Sequence, residues 1–129
     1  MTPPIACPFC NQESRGITLA ENEHAFAIPD AYPLSDGHAL VIPREHASDF
    51  LALAPEVQSA MFELVTILAN RFLETPSVTG CNIGGNIGKS AGQTIDHAHI
   101  HVIPRRDGDV DDPRGGVRWV LPSKAKYWD

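Results

Sequence analysis

The stretch His97-Ala98-His99-Ile100-His101-Val102-Ile103-Pro104 decides how this chain is read. Its histidines stand at i, i+2 and i+4 with small or apolar residues between them. That is the period of a β-strand, whose successive side chains point to opposite faces. His97, His99 and His101 are therefore expected on one face. Ala98, Ile100 and Val102 are expected on the other, against a core. Three of the chain's six histidines fall in this one segment. An ordinary core strand does not spend three imidazoles on one face, so the segment is read as carrying chemistry.

The frame around it is ordinary. At 129 residues the chain is expected to form one domain over 1–129, with an N-terminal arm over 1–23 and a C-terminal tail over 106–129. Hydrophobic residues make up 43% and charged residues 20%, a soluble globular balance. A net charge of −6 and a pI near 5.4 argue against a nucleic-acid partner. No basic leader with an apolar run is seen, and no apolar stretch is long enough to cross a membrane. A cytoplasmic enzyme or binding protein is the expectation.

Upstream, Cys7-Pro8-Phe9-Cys10 has the spacing of two ligands of a tetrahedral metal, which needs two more from elsewhere. A redox pair would open a helix after a strand, which neither flank provides, and two thiols without a metal remain the plain alternative. His24–Pro29 and His38–Pro43 read as two strands of a hairpin, joined by a turn rich in breakers. Asp30, just past the first strand, either accepts hydrogen bonds from a ligand's hydroxyls or caps the turn. A short helix is expected over Ser48–Leu53. Pro55 suits the first turn of a longer one running to Glu74, stopped by Thr75-Pro76. Val57, Ala60, Met61, Leu64, Leu68 and Phe72 form its core stripe. Val78–Ile83 reads as a third strand, and Val117–Leu121 as a short terminal one.

Between Ile83 and the histidines lies Gly84-Gly85-Asn86-Ile87-Gly88-Lys89-Ser90-Ala91-Gly92-Gln93-Thr94. Its glycines let backbone amides approach an anion. Gly88-Lys89-Ser90 is not a nucleotide-binding P-loop: that motif needs glycine where Ile83 stands and a helix afterwards. Asn86, Gln93 and Thr94 add side-chain donors, so the loop reads as part of a polar ligand site. The arginines after Pro104 either meet phosphates or pair with the interleaved aspartates.

Three imidazoles in a row admit two chemistries. With a rise of about 3.3–3.4 Å per residue, His97 and His101 stand roughly 13 Å apart, too far to share one metal with bonds near 2.0–2.1 Å. A neutral imidazole can instead attack phosphorus and carry the phosphoryl group as a covalent intermediate. It then needs a partner for its other ring nitrogen and donors for the phosphoryl oxygens. No Gly-x-Ser-x-Gly elbow supports serine chemistry.

Gly92-Gln-Thr-Ile-Asp-His97-Ala-His-Ile-His101-Val-Ile-Pro-Arg105 resembles the signature of the histidine triad family, and Gly108–Arg118 is similar to the tail of some bacterial members. The likeness extends through Asn82–Gly92 and Gly37–Pro43, covering roughly residues 24–105. It implies an α+β fold: an antiparallel sheet of about five strands with one long and one short helix. It also implies a nucleotide hydrolase or nucleotidyl transferase acting at the α-phosphate of a nucleotide conjugate, commonly an adenine one, and a homodimer. His99 would be the nucleophile, and His97 and His101 the flanking members of the catalytic triad. His101 and His38 would contact the phosphate, with Asn86, Gln93 and Thr94 around it. Asp30 would accept from the ribose hydroxyls. Some members hold structural zinc, here through Cys7, Cys10, His46 and His97, with no metal required for the chemistry. Asp96 and the small Ala98 depart from the usual pattern, and no role is carried onto Trp119 or Trp128. Two other classes stay open: a non-catalytic nucleotide-binding or interaction protein of the same fold, and a metal-dependent enzyme using two triad histidines.

Overall fold

The computed structural model describes residues 7–11 and 16–129. Five strands form one antiparallel sheet: β1 (Ala20–Glu21), β2 (Ala25–Pro29), β3 (Ala39–Pro43), β4 (Gly80–Gly84) and β5 (Ile100–Arg105), in the order β1-β2-β3-β5-β4. β2 and β3 pair from Ala25↔Pro43 to Pro29↔Ala39, the expected hairpin. β5, last in the chain, lies between β3 and β4, with Leu40↔His101 on one side and Gly84↔His101 on the other.

One long helix, α1 (Pro55–Glu74), covers one face of this sheet. Pro55 opens it without a side-chain cap at Ala54, and Thr75 leaves it in extended conformation, as the residue before Pro76 must. Its Val57, Met61, Leu64, Val65 and Leu68 pack on Ala25, Ala27, Ala39, Val41, Ile100 and Val102. The small alanines on β2 and β3 let the helix settle close to the sheet. Burying each large side chain of the stripe is worth roughly 1.5–3 kcal/mol. The opposite face carries Phe26, Ile28, Leu40 and Ile42, and is covered by Cys7 and Phe9.

Three local expectations are corrected. Ser48–Leu53 is not an α-helix. A 3-10 turn covers Phe50–Ala52, and the Asp49 carboxylate accepts from the amides of Leu51 and Ala52. Val117–Leu121 is not a strand. Gly115 and Gly116 take positive φ and start a 3-10 turn, Gly116–Val120, followed by the short helix α2 (Pro122–Ala125). The fifth strand is instead β1, inside the stretch read as the N-terminal arm. The third strand begins at Gly80, because the amide of Val78 closes a turn onto Thr75 O.

The histidine segment is also shorter as a strand than expected, since regular pairing starts only at Ile100. The preceding residues are held by the Ala98 amide, which donates to Ala47 O at 2.8 Å. Ala98, Ile100 and Val102 all join the helix-side core. The alternation thus continues through the irregular part.

Candidate functional site

His99 is half-buried at the head of β5. Its Nδ1 lies 2.8 Å from the carbonyl oxygen of His97. A carbonyl only accepts, so Nδ1 carries the ring proton and Nε2 keeps its lone pair. That is the state a nucleophilic imidazole requires. A cleft of about 210 Å³ opens beside it, walled by Gly84, Gly85 and Asn86 and by the apolar Phe50, Phe62 and Ile83. A Cβ on Gly85 would stand 3.0 Å from the carbonyl oxygen of His99, so glycine lets the loop lie close against this backbone.

The three triad rings face three different partners. His101 meets His38, with its Nδ1 2.9 Å from His38 Nε2. The Asp30 carboxylate flanks both, 3.4 Å from His38 Nε2 and 3.7 Å from His101 Nδ1. Burial lowers the pKa of His38, partly opposed by Asp30. Burial also lowers that of His101, followed by its neighbours His99 and His38, again against Asp30. Both rings are thereby kept neutral near pH 7. Asp30 caps its own turn as well, accepting from the Tyr32 amide at 2.8 Å.

His97 is fully buried and turns toward the cysteines. Its Nε2 lies 3.0 Å from Pro43 O and so carries the proton, leaving Nδ1 as a lone-pair donor. Around that Nδ1 stand Cys7 Sγ at 3.4 Å, Cys10 Sγ at 3.5 Å and His46 Nδ1 at 3.1 Å. Cys10 Sγ lies 3.0 Å from His46 Nδ1. All four ligand atoms fall within 4.8 Å of one another. The edges of a zinc tetrahedron with sulfur and nitrogen ligands are about 3.3–3.8 Å, so the donor set fits such an ion.

The glycine loop is built differently from an open anion cradle. The amides of Ala91, Gly92 and Gln93 close it onto Gly88 O and Lys89 O. The Gln93 side chain is engaged on both ends: Oε1 accepts from the Gly88 amide, and Nε2 donates to Ser48 O and Ile95 O. Asn86 and Thr94 are exposed, and Asn86 lines the cleft. In the tail, the arginines pair within the chain. Arg105 grips Asp109 with two bonds of 2.8 Å and donates to Asn82, and Arg114 pairs with Asp112 while lying over Trp128.

Sequence reasoning missed Phe9. It is buried between the cysteines, with its ring edge-on to His97 and His99 at centroid distances of 5.7 and 5.2 Å. It also missed Ser35, whose hydroxyl donates to Pro104 O at 2.7 Å and ties the Asp30–His38 turn to β5. The first had a signal, an aromatic enclosed by a ligand pair; the second had none.

Comparison with known proteins decides the family, since the HIT domain matches residues 11–108. The chain belongs to the HIT family. The HIT-like protein MG132 of Mycoplasma genitalium is 39% identical over 103 residues, covering 78% of this chain and 73% of that protein. Adenylylsulfatase HINT3 of Arabidopsis thaliana is 37% identical over 105 residues, covering 81% of this chain and 53% of the plant protein. A zinc-bound histidine triad family protein from Mycobacterium smegmatis superposes with a TM-score of 0.67 at 39% identity, over 71% of this chain and 67% of that one. The chain thus spans about half to three-quarters of these relatives. The five-stranded antiparallel sheet with one long helix is the HIT fold. Among the described residues no helix of this HIT protein is long and apolar enough to cross a membrane.

Proposed function

We propose that this HIT protein is a nucleotide hydrolase or nucleotidyl transferase that works through a covalent nucleotidyl-His99 intermediate. The observation that carries the reading is the bond from His99 Nδ1 to His97 O, which leaves Nε2 basic beside the cleft. His99 Nε2 attacks the α-phosphorus of a nucleotide conjugate. The N–P bond forms as the bond to the leaving group breaks, and the leaving group takes its proton from solvent. Water then attacks the same phosphorus, the N–P bond breaks, and a nucleoside monophosphate leaves with the imidazole restored. His101, Asn86 and Thr94 surround the phosphoryl group, His38 stands behind His101, and Gln93 fixes the loop beside it. Asp30 takes the ribose hydroxyls.

An adenine conjugate is the favoured class, supported by the likeness to a plant adenylylsulfatase. Cys7, Cys10, His46 and His97 would hold zinc, a reading supported by the zinc-bound mycobacterial relative. Bound there, zinc supplies cross-linking of the N-terminal loop to the sheet and takes no part in the reaction. A homodimer is supported by the position of β4 at the edge of the sheet and by exposed Phe62, Ile83 and Ile87 near it. We place the protein in the cytoplasm and read residues 1–129 as one domain.

The test is release of nucleoside monophosphate from adenosine phosphoramidate, diadenosine tetraphosphate and adenylyl sulfate, comparing wild type with His99→Asn. Release by wild type alone supports the mechanism, and equal release by the variant overturns it. Tight nucleotide binding with no turnover of any conjugate would replace it with a non-catalytic binding role.

A further inference from the structure

Asp30, His38 and His101 bring three potential metal ligands within 4.8 Å of one another, outside the Cys–His cluster. Two observations point away from a metal there. The backbone amide of Leu34 donates to His38 Nδ1 at 3.0 Å. The lone pair of a neutral imidazole is then spent at Nδ1, its proton sits on Nε2, and Nε2 has nothing to offer a cation. The second observation is the 2.9 Å between His38 Nε2 and His101 Nδ1, a hydrogen-bond distance.

We infer that the Leu34 amide sets the tautomer of His101 through His38. The bonds run in one direction: Leu34 N–H to His38 Nδ1, then His38 Nε2–H to His101 Nδ1. The proton of His101 is left on its Nε2. His99, two residues earlier, has its proton on Nδ1 because it faces a carbonyl. The two rings, with centroids 5.2 Å apart, therefore hold opposite tautomers. One presents a lone pair at Nε2 and the other an N–H at the same atom.

The surroundings support the chain of bonds. His38 is only 3% exposed, so water does not compete for its nitrogens. Its own amide donates to Ser35 O, and its carbonyl accepts from the Asp30 amide, which locks the turn that places Leu34. The Asp30 carboxylate lies on the Nε2–H side of His38, where it favours a donor. The functional consequence rests on the nucleotidyl-transfer reading: His101 donates to a phosphoryl oxygen while His99 attacks. His38 is then a positioning residue acting through His101.

The experiment is two-bond 1H–15N correlation NMR of the 15N-labelled full chain at pH 7.5. His38 and His101 are expected with pyrrole-type Nε2 and pyridine-type Nδ1, and His99 with the reverse. His101 found with its proton on Nδ1 overturns the inference. His38→Gln, which keeps a distal N–H donor, is expected to preserve the His101 pattern. His38→Phe is expected to mix the His101 tautomers and to lower kcat by about tenfold to a hundredfold, with a much smaller change in KM. An unchanged His101 pattern in His38→Phe also overturns it. After dialysis, one zinc per chain is expected; a second equivalent that disappears in His38→Gln would restore the metal reading and sink this one. If the NMR pattern holds but no nucleotide conjugate is turned over, the proposed function fails and the tautomer assignment stands.

Discussion

His99 Nδ1 and the backbone oxygen of His97 stand 2.8 Å apart, and this contact links two sites with different chemistry. His97 turns its ring to the cysteines and its carbonyl to His99. The orientation of His99 therefore depends on where the Cys–His cluster holds His97.

His99→Asn is expected to lower nucleoside monophosphate release by at least about 10³-fold, since the covalent step has no other nucleophile. The fold should persist, because the ring is only half-buried and outside both apolar clusters. A thermal melt within a few degrees of wild type alongside lost turnover is the expected pair of results.

Removing metal should act on stability and turnover together. Without an ion, Cys7, Cys10, His46 and His97 are joined only by thiol–imidazole and imidazole–imidazole hydrogen bonds, which hold the N-terminal loop to the sheet less firmly than metal bonds do. Chelation, or Cys7→Ser, is expected to lower the melting temperature by at least about 10 °C. Metal analysis should find one zinc per untreated chain. Full turnover in metal-free protein would contradict the coupling.

Phe9→Ala separates packing from ligation. The substitution removes the edge-on ring from His97 and His99 and opens the second core cluster, at a cost of about 3–5 kcal/mol. Zinc content should be retained while kcat falls. If kcat is unaffected in folded, zinc-loaded variant, the aromatic contact does not orient the nucleophile.

Gln93→Ala should loosen the glycine loop. The amide of Gly88 and the carbonyls of Ser48 and Ile95 lose their side-chain partner. Water reaches the exposed Gly88 and Ser48, so the loss of stability should be near 1 kcal/mol, read from denaturant unfolding. Hydrogen exchange at the Gly88 amide should accelerate more than exchange in β5.

Acidification should weaken the fold through His38 and His101. Burial depresses both pKa values below the ordinary 6.5, while in the unfolded chain both return to it. Below pH 6.5 the unfolded state therefore binds more protons, and stability falls as pH drops. The fall ends once the pH passes the lowered folded-state values, and above 6.5 the full stability is present. Denaturant unfolding at pH 7.5, 6.0 and 5.5 should show a shallower decline for His38→Gln than for wild type, with zinc content checked at each pH. Equal slopes would show that His38 is not part of the effect.

Much of this architecture was legible because it rests on side-chain pattern. Pro55 and Thr75-Pro76 bound α1 at the residues expected, since proline acts on its own backbone and on its predecessor's. The alternation of imidazole and apolar side chains in the histidine segment set which of its faces meets the helix, whereas β2 and β3 are apolar on both faces. β1 is two residues long and carries no periodic signal. Val117–Leu121 reads as a strand by composition, but glycines with positive φ and a following proline wind it into helical turns. In the candidate site, the residues themselves could be named from sequence, but the bonds that set their proton positions could not. Those bonds run to the Pro43 and His97 carbonyls and from the Leu34 amide, and every residue has the same backbone. Gln93 was read as a ligand contact, and its amide is engaged in holding the loop.

The central place of β5 has a consequence for synthesis. A chain emerging from the ribosome presents β3, and later β4, before the strand that joins them. Until residues 100–105 are out, both strands keep an open edge, the kind of surface on which nascent chains pair wrongly. The stripe of α1 meanwhile lacks Ile100 and Val102 to close against. The insertion that ends this exposure also delivers His99 and His101 to their partners. Closure of the sheet and assembly of the histidine site thus converge on one late event, and a product truncated before β5 has neither a closed sheet nor His101 beside His38.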